Sequence, residues 1–422
     1  MSFAALKRLA YWGLSPRVLI AHARLLRVAG RLPKQRHTQS KPIRRIFFSF
    51  PYHSVGDLIL SLTLLERTHA LWPDAEIDVA VGASMADIVA SIPYVHAVFR
   101  LSRSSVRQPI LAAYAAIHRA TRLFQEQIAP TQYDLALSPR WDSADSFFSA
   151  HLAFLTGAPV RCGYSSTCDG GTDRTDRFHT HVARGGVSEH ESLRYARLLA
   201  RCGLEPMEAV DANRPSESLR VLREIARKRC AEGLALRLPI SSSYAVLSPG
   251  ATNPRRMWPI DRFREVGQQL FLKYGLVTVV LGSEADNALC GKLSEDIGFG
   301  SFSLAGKTSP LQMIDVISAA ALFVGNDSGP GHIAGGLGIE TFTVSPFPLS
   351  STVDHPNSMV RFRPIGPRVH LFQPVSPCAP CSPTCLMNIP HCILQISAQE
   401  VLEGIANTLE PIRVKRPEFS CD

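Results

Sequence analysis

The sequence lacks long apolar runs, and its first 45 residues lack any acidic side chain. No stretch of 18 or more uninterrupted apolar residues occurs, which argues against a membrane-spanning helix. The composition, 45% hydrophobic and 19% charged, excludes a wholly disordered or fibrous chain. A chain of 422 residues is long enough for two ordinary domains, each with its own core.

The net charge of +9 belongs to the amino-terminal segment. Residues 1–45 hold eleven Lys and Arg, whereas the rest of the chain carries 34 basic and 36 acidic side chains. Leucines and Trp12 alternate with these basic residues, which is typical of a helix lying on an anionic membrane surface. A solvated, partly ordered extension is the alternative. The nearly neutral body argues against nucleic-acid binding.

Four of the ten cysteines form a cluster near the carboxyl terminus. The cluster is Cys378-x2-Cys381-x3-Cys385-x6-Cys392, with His391 beside its last member. Cysteine and histidine at short spacing can bind zinc, but this spacing matches no zinc pattern closely. We therefore expect reduced thiols and no metal, with a structural zinc site as the alternative.

Apolar, β-rich runs alternate with segments of helical period from residue 46 onward, which predicts α/β units with parallel strands. The first series has strands at 46–50, 76–81, 97–101 and 133–138, and helices near 57–71, 84–91 and 108–128. The second has strands at 244–248, 276–281, 302–304, 322–325 and 341–344, and helices near 261–274, 284–296, 310–321 and 330–337. Two such halves predict a cleft at the carboxyl ends of both sheets, where ligands bind.

The strongest local signal follows the predicted strand 322–325, where small polar residues lead into a helix of very small residues. Asp327 or Ser328 can cap that helix, and Pro330 suits its first turn. The N–H groups and the positive end of the helix dipole then form an anion site, most naturally for a diphosphate. A tight strand–helix connection with no ligand would need the same small residues.

Two other loops also follow predicted strands. Arg255 and Arg256 could clamp phosphate oxygens by charge-assisted bonds, or they could form a solvated basic turn over Trp258. Asp57 could cap a helix, or it could act as a general base if an acceptor hydroxyl comes within hydrogen-bond reach. These residues are therefore candidates for the chemistry of a cleft enzyme.

Two motifs are better explained by structure than by chemistry. Gly306 and Lys307 do not have the spacing of a P-loop, and a helix cap at Thr308 or Ser309 explains them better. His179 and His181 have no acidic partner at ligand spacing, so we interpret both as structural. Neither motif supports an ATPase or a metal centre.

A series of short motifs occurs in order from about residue 46 to 408. The motifs are Ser54-Val55-Gly56-Asp57, Trp72-Pro73-Asp74, Arg161-Cys162-Gly163-Tyr164, His190-Glu191-Ser192-Leu193, Ser248-Pro249-Gly250-Ala251, Arg256-Met257-Trp258-Pro259, Leu304-Ala305-Gly306-Lys307 and residues 326–337. Each motif is modest alone, but the ordered set is specific, and it resembles the heptosyltransferases of glycosyltransferase family 9. Gly331 departs from the family, which usually has Met there.

The resemblance implies an α/β GT-B fold, in which two Rossmann-like domains face each other across a cleft. We expect four segments along the chain. They are a basic amphipathic arm over 1–45, an acceptor-side domain over 46–215, a donor domain over 216–395, and a carboxyl-terminal helix and tail over 396–422.

The resemblance also implies inverting transfer of heptose from ADP-heptose to lipopolysaccharide core or a related glycan, without metal or other cofactor. Asp57 would be the general base on the acceptor hydroxyl. The implied donor-binding residues are Gly250, Arg256, Glu284, Asn326, Asp327, Ser328, Gly329, Pro330 and His332. A different nucleotide-sugar donor, or a non-catalytic sugar-nucleotide-binding protein, is the alternative.

The resemblance has an implication for location as well. Acceptors of this family are lipid-linked, so a cytoplasmic enzyme held at the inner membrane through residues 1–45 would suit the chemistry. The arm and the site are thus expected to serve one function.

Overall fold

A computed structural model describes most of the chain in two compact units, residues 1–213 and 214–422. The described residues are 16–29, 32, 42–50, 54–101, 121–122, 124–128, 131–139, 146–169, 173–185, 189–207, 219–238, 242–350, 358–381, 387 and 389–409. We call the units the amino-terminal and carboxyl-terminal domains. Within these residues, no helix has the length and apolar character needed to cross a membrane.

The amino-terminal domain contains a six-stranded parallel sheet in the order β3-β2-β1-β4-β5-β6. Its strands are β1 Arg45–Phe50, β2 Glu76–Gly82, β3 Val95–Leu101, β4 Leu135–Ser138, β5 Val160–Tyr164 and β6 His181–Ala183. Its described α-helices are α1 Pro16–Val28, α2 Val55–Leu71, α3 Ala86–Ala90, α4 Ser146–Leu155, α5 Glu191–Ala196 and α6 Leu198–Arg201. Short 3₁₀ turns occur at Ala83–Met85, Ser166–Asp169 and Asp173–Phe178, and a π-helical turn at Phe124–Ile128.

The carboxyl-terminal domain contains a second six-stranded parallel sheet, in the order β12-β11-β10-β7-β8-β9. Its strands are β7 Tyr244–Ser248, β8 Val277–Val280, β9 Phe302–Ser303, β10 Leu322–Asn326, β11 Glu340–Val344 and β12 Val369–Phe372. Its described α-helices are α7 Arg220–Ala231, α8 Ile260–Tyr274, α9 Asn287–Ile297, α10 Pro310–Ser318, α11 Gly329–Leu337, α12 Met359–Phe362 and α13 Ala398–Ala406. Short 3₁₀ turns occur at Pro254–Arg256, Glu284–Asp286 and Cys392–Gln395.

The two sheets have the same strand order. Counted from its own first strand, each sheet runs 3-2-1-4-5-6, which is the order of the doubly wound nucleotide-binding fold. The winding direction changes between strands 1 and 4, which are β1 and β4 in one domain and β7 and β10 in the other. Ligands bind outside the carboxyl ends of strands at this switch point, so the topology selects the loops after these four strands.

The prediction of α/β units with parallel strands is confirmed. All nine predicted strands are present with ends within two residues, whereas β5, β6 and β12 are not predicted. Most of the helix predicted near 108–128 lies outside the described residues, and residues 124–128 of it form the π-helical turn. The predicted cap of α10 is Ser309, whose hydroxyl accepts from the N–H of Gln312 at 3.2 Å.

Helix α1 packs into the core of the amino-terminal domain. Leu19 is 3% exposed and Ala23 is fully buried, in the same apolar cluster as Phe47 and Phe154. The guanidinium of Arg27 donates to the carbonyl oxygen of Phe154 at 2.6 Å and lies 4.8 Å from the centre of its ring. The face of α1 that carries Leu19 and Ala23 is therefore covered by protein, whereas Leu25 and Val28 are exposed. Residues 1–15 lie outside the described part.

Candidate functional site

Asn326 joins the two loops at the switch point of the carboxyl-terminal domain. It ends β10, which pairs with β7 up to Gly325 and Ser248. The side-chain amide of Asn326 donates to the carbonyl oxygen of Pro249 at 2.6 Å, and its oxygen accepts from the N–H of Trp258 at 2.9 Å. Both ends of this fully buried side-chain amide are hydrogen-bonded to the loop after β7, so Asn326 connects the two loops. We call Asn326 the brace of the switch point.

Trp258 fixes the far end of the loop after β7. Its indole is 2% exposed and packs edge-on against Phe263, with ring centres 5.0 Å apart. Its Nε1 donates to the carbonyl oxygen of Ile396 at 2.8 Å, and Arg262 donates to the same oxygen. The loop is thus anchored to the segment before α13. Arg256 belongs to the 3₁₀ turn of this loop, close to the anchored Trp258.

Arg256 and Asp327 form the charged pair of the site. Nη1 of Arg256 lies 3.5 Å from Oδ2 of Asp327, and the guanidinium lies 5.4 Å from the centre of the Phe347 ring. Among the described residues the buried Nε of Arg256 has no hydrogen-bond partner, while 26% of the side chain is exposed. The guanidinium can therefore bind an additional acceptor without breaking an internal hydrogen bond.

Burial dominates the electrostatics of Asp327, which is 4% exposed. Loss of hydration raises the pKa of its carboxyl to about 6, and the nearby Arg256 only partly opposes this rise. The carboxyl therefore takes up a proton in mildly acidic solution, where an exposed aspartate stays ionised. An anion bound at Arg256 would raise the pKa of Asp327 further.

The first turn of α11 is not capped by a side chain. Ser328 occupies the N-cap position, but its hydroxyl donates to the carbonyl oxygen of Asn326 at 3.1 Å. The prediction that Asp327 or Ser328 caps this helix is therefore wrong, because Ser328 bonds backward along the chain and neither side chain accepts from the helix. Pro330 lies in the first turn, as predicted. The uncapped positive end, including the N–H of Gly329, is suited to an anion.

Two acidic residues follow β8, the strand beside β7. Glu284 lies against Gly306, where a Cβ would collide with its Oε2 and where φ is +68°. Asp286 accepts from the N–H and the hydroxyl of Ser283 at 2.9 and 2.6 Å, and a Cβ on Gly250 would lie 2.6 Å from its Oδ2. Gly250 and Gly306 therefore make room for these carboxylates. Asp286 is not among the site residues predicted from the sequence.

The proposed donor residues thus fall into distinct structural positions. Arg256, Asp327 and the start of α11 surround the switch point, and Asn326 braces it. Glu284 follows the next strand, on the side of β7 away from β10. His332 is a buried residue of α11, 6% exposed.

Asp57 lies in the first turn of α2, directly after the switch-point strand β1. The N-cap of α2 is Ser54, whose hydroxyl accepts from the N–H of Asp57 at 3.5 Å. Ser54 therefore caps α2, and the alternative that the Asp57 side chain is the helix cap is not needed. The carboxylate is half-buried, and residues 51–53 before it lie outside the described part.

His179 and His181 occupy structural positions, in agreement with their interpretation from the sequence. The ring of His179 is packed against Gly163, where a Cβ would collide with it, and burial lowers its pKa to about 3. Nδ1 of His181 lies 2.9 Å from Oγ1 of Thr180. Within the described residues, side chains of the metal-binding type gather elsewhere, at Cys378, His391 and Cys392.

Two doubly wound α/β domains in one chain define the GT-B class of proteins, and the predicted fold class is confirmed. The sequence model of glycosyltransferase family 9 (heptosyltransferase) matches residues 121–386, so the chain belongs to this family of glycosyltransferases. The expected family is therefore confirmed.

Individual proteins are similar to this chain in sequence or in fold. The chain is 26% identical over 293 residues to lipopolysaccharide heptosyltransferase 2 of Salmonella typhimurium, covering 67% of this chain and 77% of that protein. It is similar in fold to E. coli ADP-heptose lps heptosyltransferase II, with a TM-score of 0.62, 20% identity and coverage of 86% and 97%. E. coli heptosyltransferase WaaC with ADP-2-deoxy-2-fluoro heptose gives a TM-score of 0.61, 18% identity and coverage of 87% and 100%.

Proposed function

We propose that this protein transfers heptose from ADP-heptose to lipopolysaccharide core or a related lipid-linked glycan, with inversion at the anomeric carbon. Family membership supports heptosyl transfer, and the names of the relatives support this donor and acceptor. The observation that carries the proposal is the Arg256–Asp327 pair beside the uncapped start of α11. Both stand at the switch point where a doubly wound sheet binds its ligand.

Donor binding is assigned to two kinds of positive group. The Arg256 guanidinium and the N–H groups at the start of α11 would bind the diphosphate oxygens. As ADP leaves, these groups would stabilise the negative charge that grows on its phosphate, which is the role that a metal ion has in other transferases. Arginine keeps its positive charge at every relevant pH, so its guanidinium can stabilise the negative charge on the leaving ADP throughout this range.

Asp327 is assigned to orienting Arg256 and to binding the donor sugar, although it lies in a segment expected to bind phosphate. A carboxylate repels phosphate oxygens, so it does not bind the diphosphate directly. Its contact with Arg256 orients the guanidinium, and its buried oxygens can accept from a sugar hydroxyl. This assignment joins the phosphate-binding and sugar-binding parts of the donor site.

Asp57 is assigned as general base on the acceptor. Its carboxylate follows β1 at the switch point of the amino-terminal domain, and its helix is already capped by Ser54. It would remove the proton from the acceptor hydroxyl as that oxygen attacks the anomeric carbon opposite the departing ADP. A single displacement of this kind inverts the configuration.

Peripheral contact with the cytoplasmic leaflet is part of the proposal. The face of α1 opposite the buried Leu19 carries Arg24, Leu25 and Val28, with Leu25 68% and Val28 89% exposed. A basic residue beside exposed apolar side chains suits an anionic surface. The lipid-linked acceptors named for the relatives support a location at the membrane.

Calorimetric binding of ADP, UDP and GDP to the full-length protein tests the donor assignment. We expect a clear preference for ADP, followed by heptose transfer from ADP-heptose to a heptose-deficient lipopolysaccharide acceptor. Preference for UDP or GDP would exclude ADP-heptose while keeping the fold and the displacement mechanism. Failure to bind any of the three would favour a non-catalytic protein.

A further inference from the structure

Cysteine and histidine side chains converge on the segment between β12 and α13 of the carboxyl-terminal domain. The ligand-type atoms of Cys378, His391 and Cys392 all lie within 4.8 Å of one another. Nδ1 of His391 lies 3.6 Å from Sγ of Cys392 and 3.7 Å from Sγ of Cys381. Side chains up to 14 residues apart in sequence therefore meet at one point.

The separations match a tetrahedral metal site. Metal–sulfur and metal–nitrogen bonds of the lengths found for zinc place sulfur about 3.6 Å from nitrogen and two sulfurs about 3.8 Å apart. The two sulfur–nitrogen distances around His391 have this value. Cys381 and Cys392 are 3% and 2% exposed, whereas Cys378 and His391 are half-buried. Two of the four candidate ligands are therefore shielded from water.

Nitrogen donors surround the sulfur atoms of the cluster. The backbone N–H of Cys378 donates to Sγ of Cys392 at 3.4 Å, and Nε2 of Gln395 donates to Sγ of Cys378 at 2.9 Å. A neutral thiol accepts hydrogen bonds weakly, whereas a metal-bound thiolate is stabilised by such donors. These two donors would therefore stabilise thiolates once a metal ion is bound.

We propose that Cys378, Cys381, His391 and Cys392 bind a divalent metal ion in a closed tetrahedral site, with Zn²⁺ as the ion that three thiolates and one imidazole favour. All four positions are filled by protein, so the ion has a structural role. The sequence alone favours reduced thiols, because the spacing of these residues matches no zinc pattern closely. The folded segment nevertheless brings their side chains to the same point.

The ion would fix the segment on which the donor loop is anchored. Cys392 begins the 3₁₀ turn Cys392–Gln395, and the next residue is Ile396. The carbonyl oxygen of Ile396 accepts from the indole of Trp258, whose backbone N–H donates to Asn326. A metal bound at Cys392 is thus connected through two hydrogen bonds to the brace of the switch point.

Metal content of the full-length protein, produced in zinc-supplemented medium, tests this site. Elemental analysis should find about one metal ion per chain in the wild type and in Cys230→Ser, which removes an exposed cysteine of α7. Cys378→Ser, Cys392→Ser and His391→Ala should lose the ion and should unfold at lower temperature. Equal metal content in Cys392→Ser and Cys230→Ser would overturn the proposal.

The role of Cys385, outside the described residues, is tested by Cys385→Ser. Retention of the ion in this variant supports the assigned ligands. Its loss there, with retention in His391→Ala, would overturn the assignment of His391.

Cobalt replacement in the wild-type protein gives a measurement that does not depend on variants folding. After metal removal by a chelator, Co²⁺ should produce sulfur-to-cobalt charge-transfer absorption and the intense visible bands of tetrahedral coordination. A spectrum without both features would overturn the site. Zinc added afterwards should abolish the bands, and their persistence would contradict the preference for zinc.

Discussion

At the scale of single residues, Arg256 is the side chain through which donor binding is tested most directly. Arg256→Ala should weaken ADP binding by about 10- to 150-fold, because a lost charge-assisted hydrogen bond costs about 1.5–3 kcal/mol. Arg256→Lys keeps the charge and should weaken binding less. Calorimetry measures both variants. Arg264→Ala, which removes an exposed arginine from α8, should bind like the wild type. An unchanged dissociation constant in Arg256→Ala would exclude Arg256 from the site.

Asp57 is tested by a substitution that keeps its shape. Asp57→Asn should reduce transfer by about 10²- to 10⁴-fold, the usual contribution of a general base, and should leave ADP binding nearly unchanged. The N-cap of α2 is preserved, because Ser54 accepts from the backbone N–H of residue 57. Asp87→Asn changes an exposed carboxylate of the same domain and should transfer normally. Comparable turnover in the two variants would contradict the role of Asp57.

The raised pKa of Asp327 predicts a stability that depends on pH. Burial lifts this pKa from 3.8 to about 6, so the folded state binds the proton more tightly than the unfolded state does. The contribution is fully present below pH 3.8 and is lost as the pH rises through 6. Each pKa unit corresponds to about 1.4 kcal/mol, which gives a loss of up to about 3 kcal/mol.

Denaturant unfolding at pH 5 and pH 7.5 measures the part of this loss that falls between the two values, about half of it. The free energy of unfolding should fall more between these two values in the wild type than in Asp327→Asn, which has no proton to lose. Other titrating groups contribute equally to both proteins, so the difference isolates Asp327. The same pH dependence in both would show that the carboxyl titrates normally.

Asn326 and Gly250 show how far sequence reasoning extends at this scale. The family resemblance implies that both residues bind the donor. The structure gives Asn326 two internal hydrogen bonds and places Gly250 against Asp286. These partners lie far away in sequence, so no local pattern predicts them.

At the scale of secondary-structure elements, the close packing of α11 leads to a paired prediction. A Cβ on Gly331 would meet Thr343 Oγ1 at 3.5 Å, an ordinary contact, whereas one on Gly335 would lie 2.5 Å from the carbonyl oxygen of Ile365. Gly331→Ala should therefore stabilise the protein by about 0.5–1 kcal/mol through reduced chain entropy. Gly335→Ala should destabilise it by about 1–3 kcal/mol through overpacking.

Urea unfolding of the two variants provides the comparison. They differ only in which turn of the same helix gains a methyl group, so each is the control for the other. A loss of stability in Gly331→Ala as large as that in Gly335→Ala would show that the whole helix tolerates no side chain.

The strands differ in how readily the sequence predicts them. Buried parallel strands such as β7 and β10 are continuous apolar runs, and their limits are predicted closely. Strand β6 has only three residues, and β12 is half-buried along its length at the sheet edge. Strand β5 contains the buried Arg161, whose guanidinium donates to the carbonyl oxygens of Phe178 and Ala158. That burial depends on partners that the local sequence does not show.

At the scale of the whole molecule, the proposed contact with a membrane would be made by a small surface of α1. Leu25→Ser together with Val28→Ser should reduce binding of the full-length protein to vesicles that contain anionic lipid, because both side chains are exposed and apolar. Vesicle flotation measures the bound fraction. Leu272→Ser changes an exposed leucine of α8 and should bind normally. Equal flotation of all three proteins would rule out contact through this face of α1.

Each sheet is formed by one continuous half of the chain, which affects how the protein can fold during synthesis on the ribosome. The amino-terminal sheet is complete at Ala183, and its last described helix ends at Arg201, before the first strand of the second sheet begins at Tyr244. Helix α1, near the start of the chain, packs on residues up to Phe178, so this core closes only after that segment has emerged. The first half can therefore fold while the second is still being translated, which shortens the time that its apolar strands are exposed to aggregation.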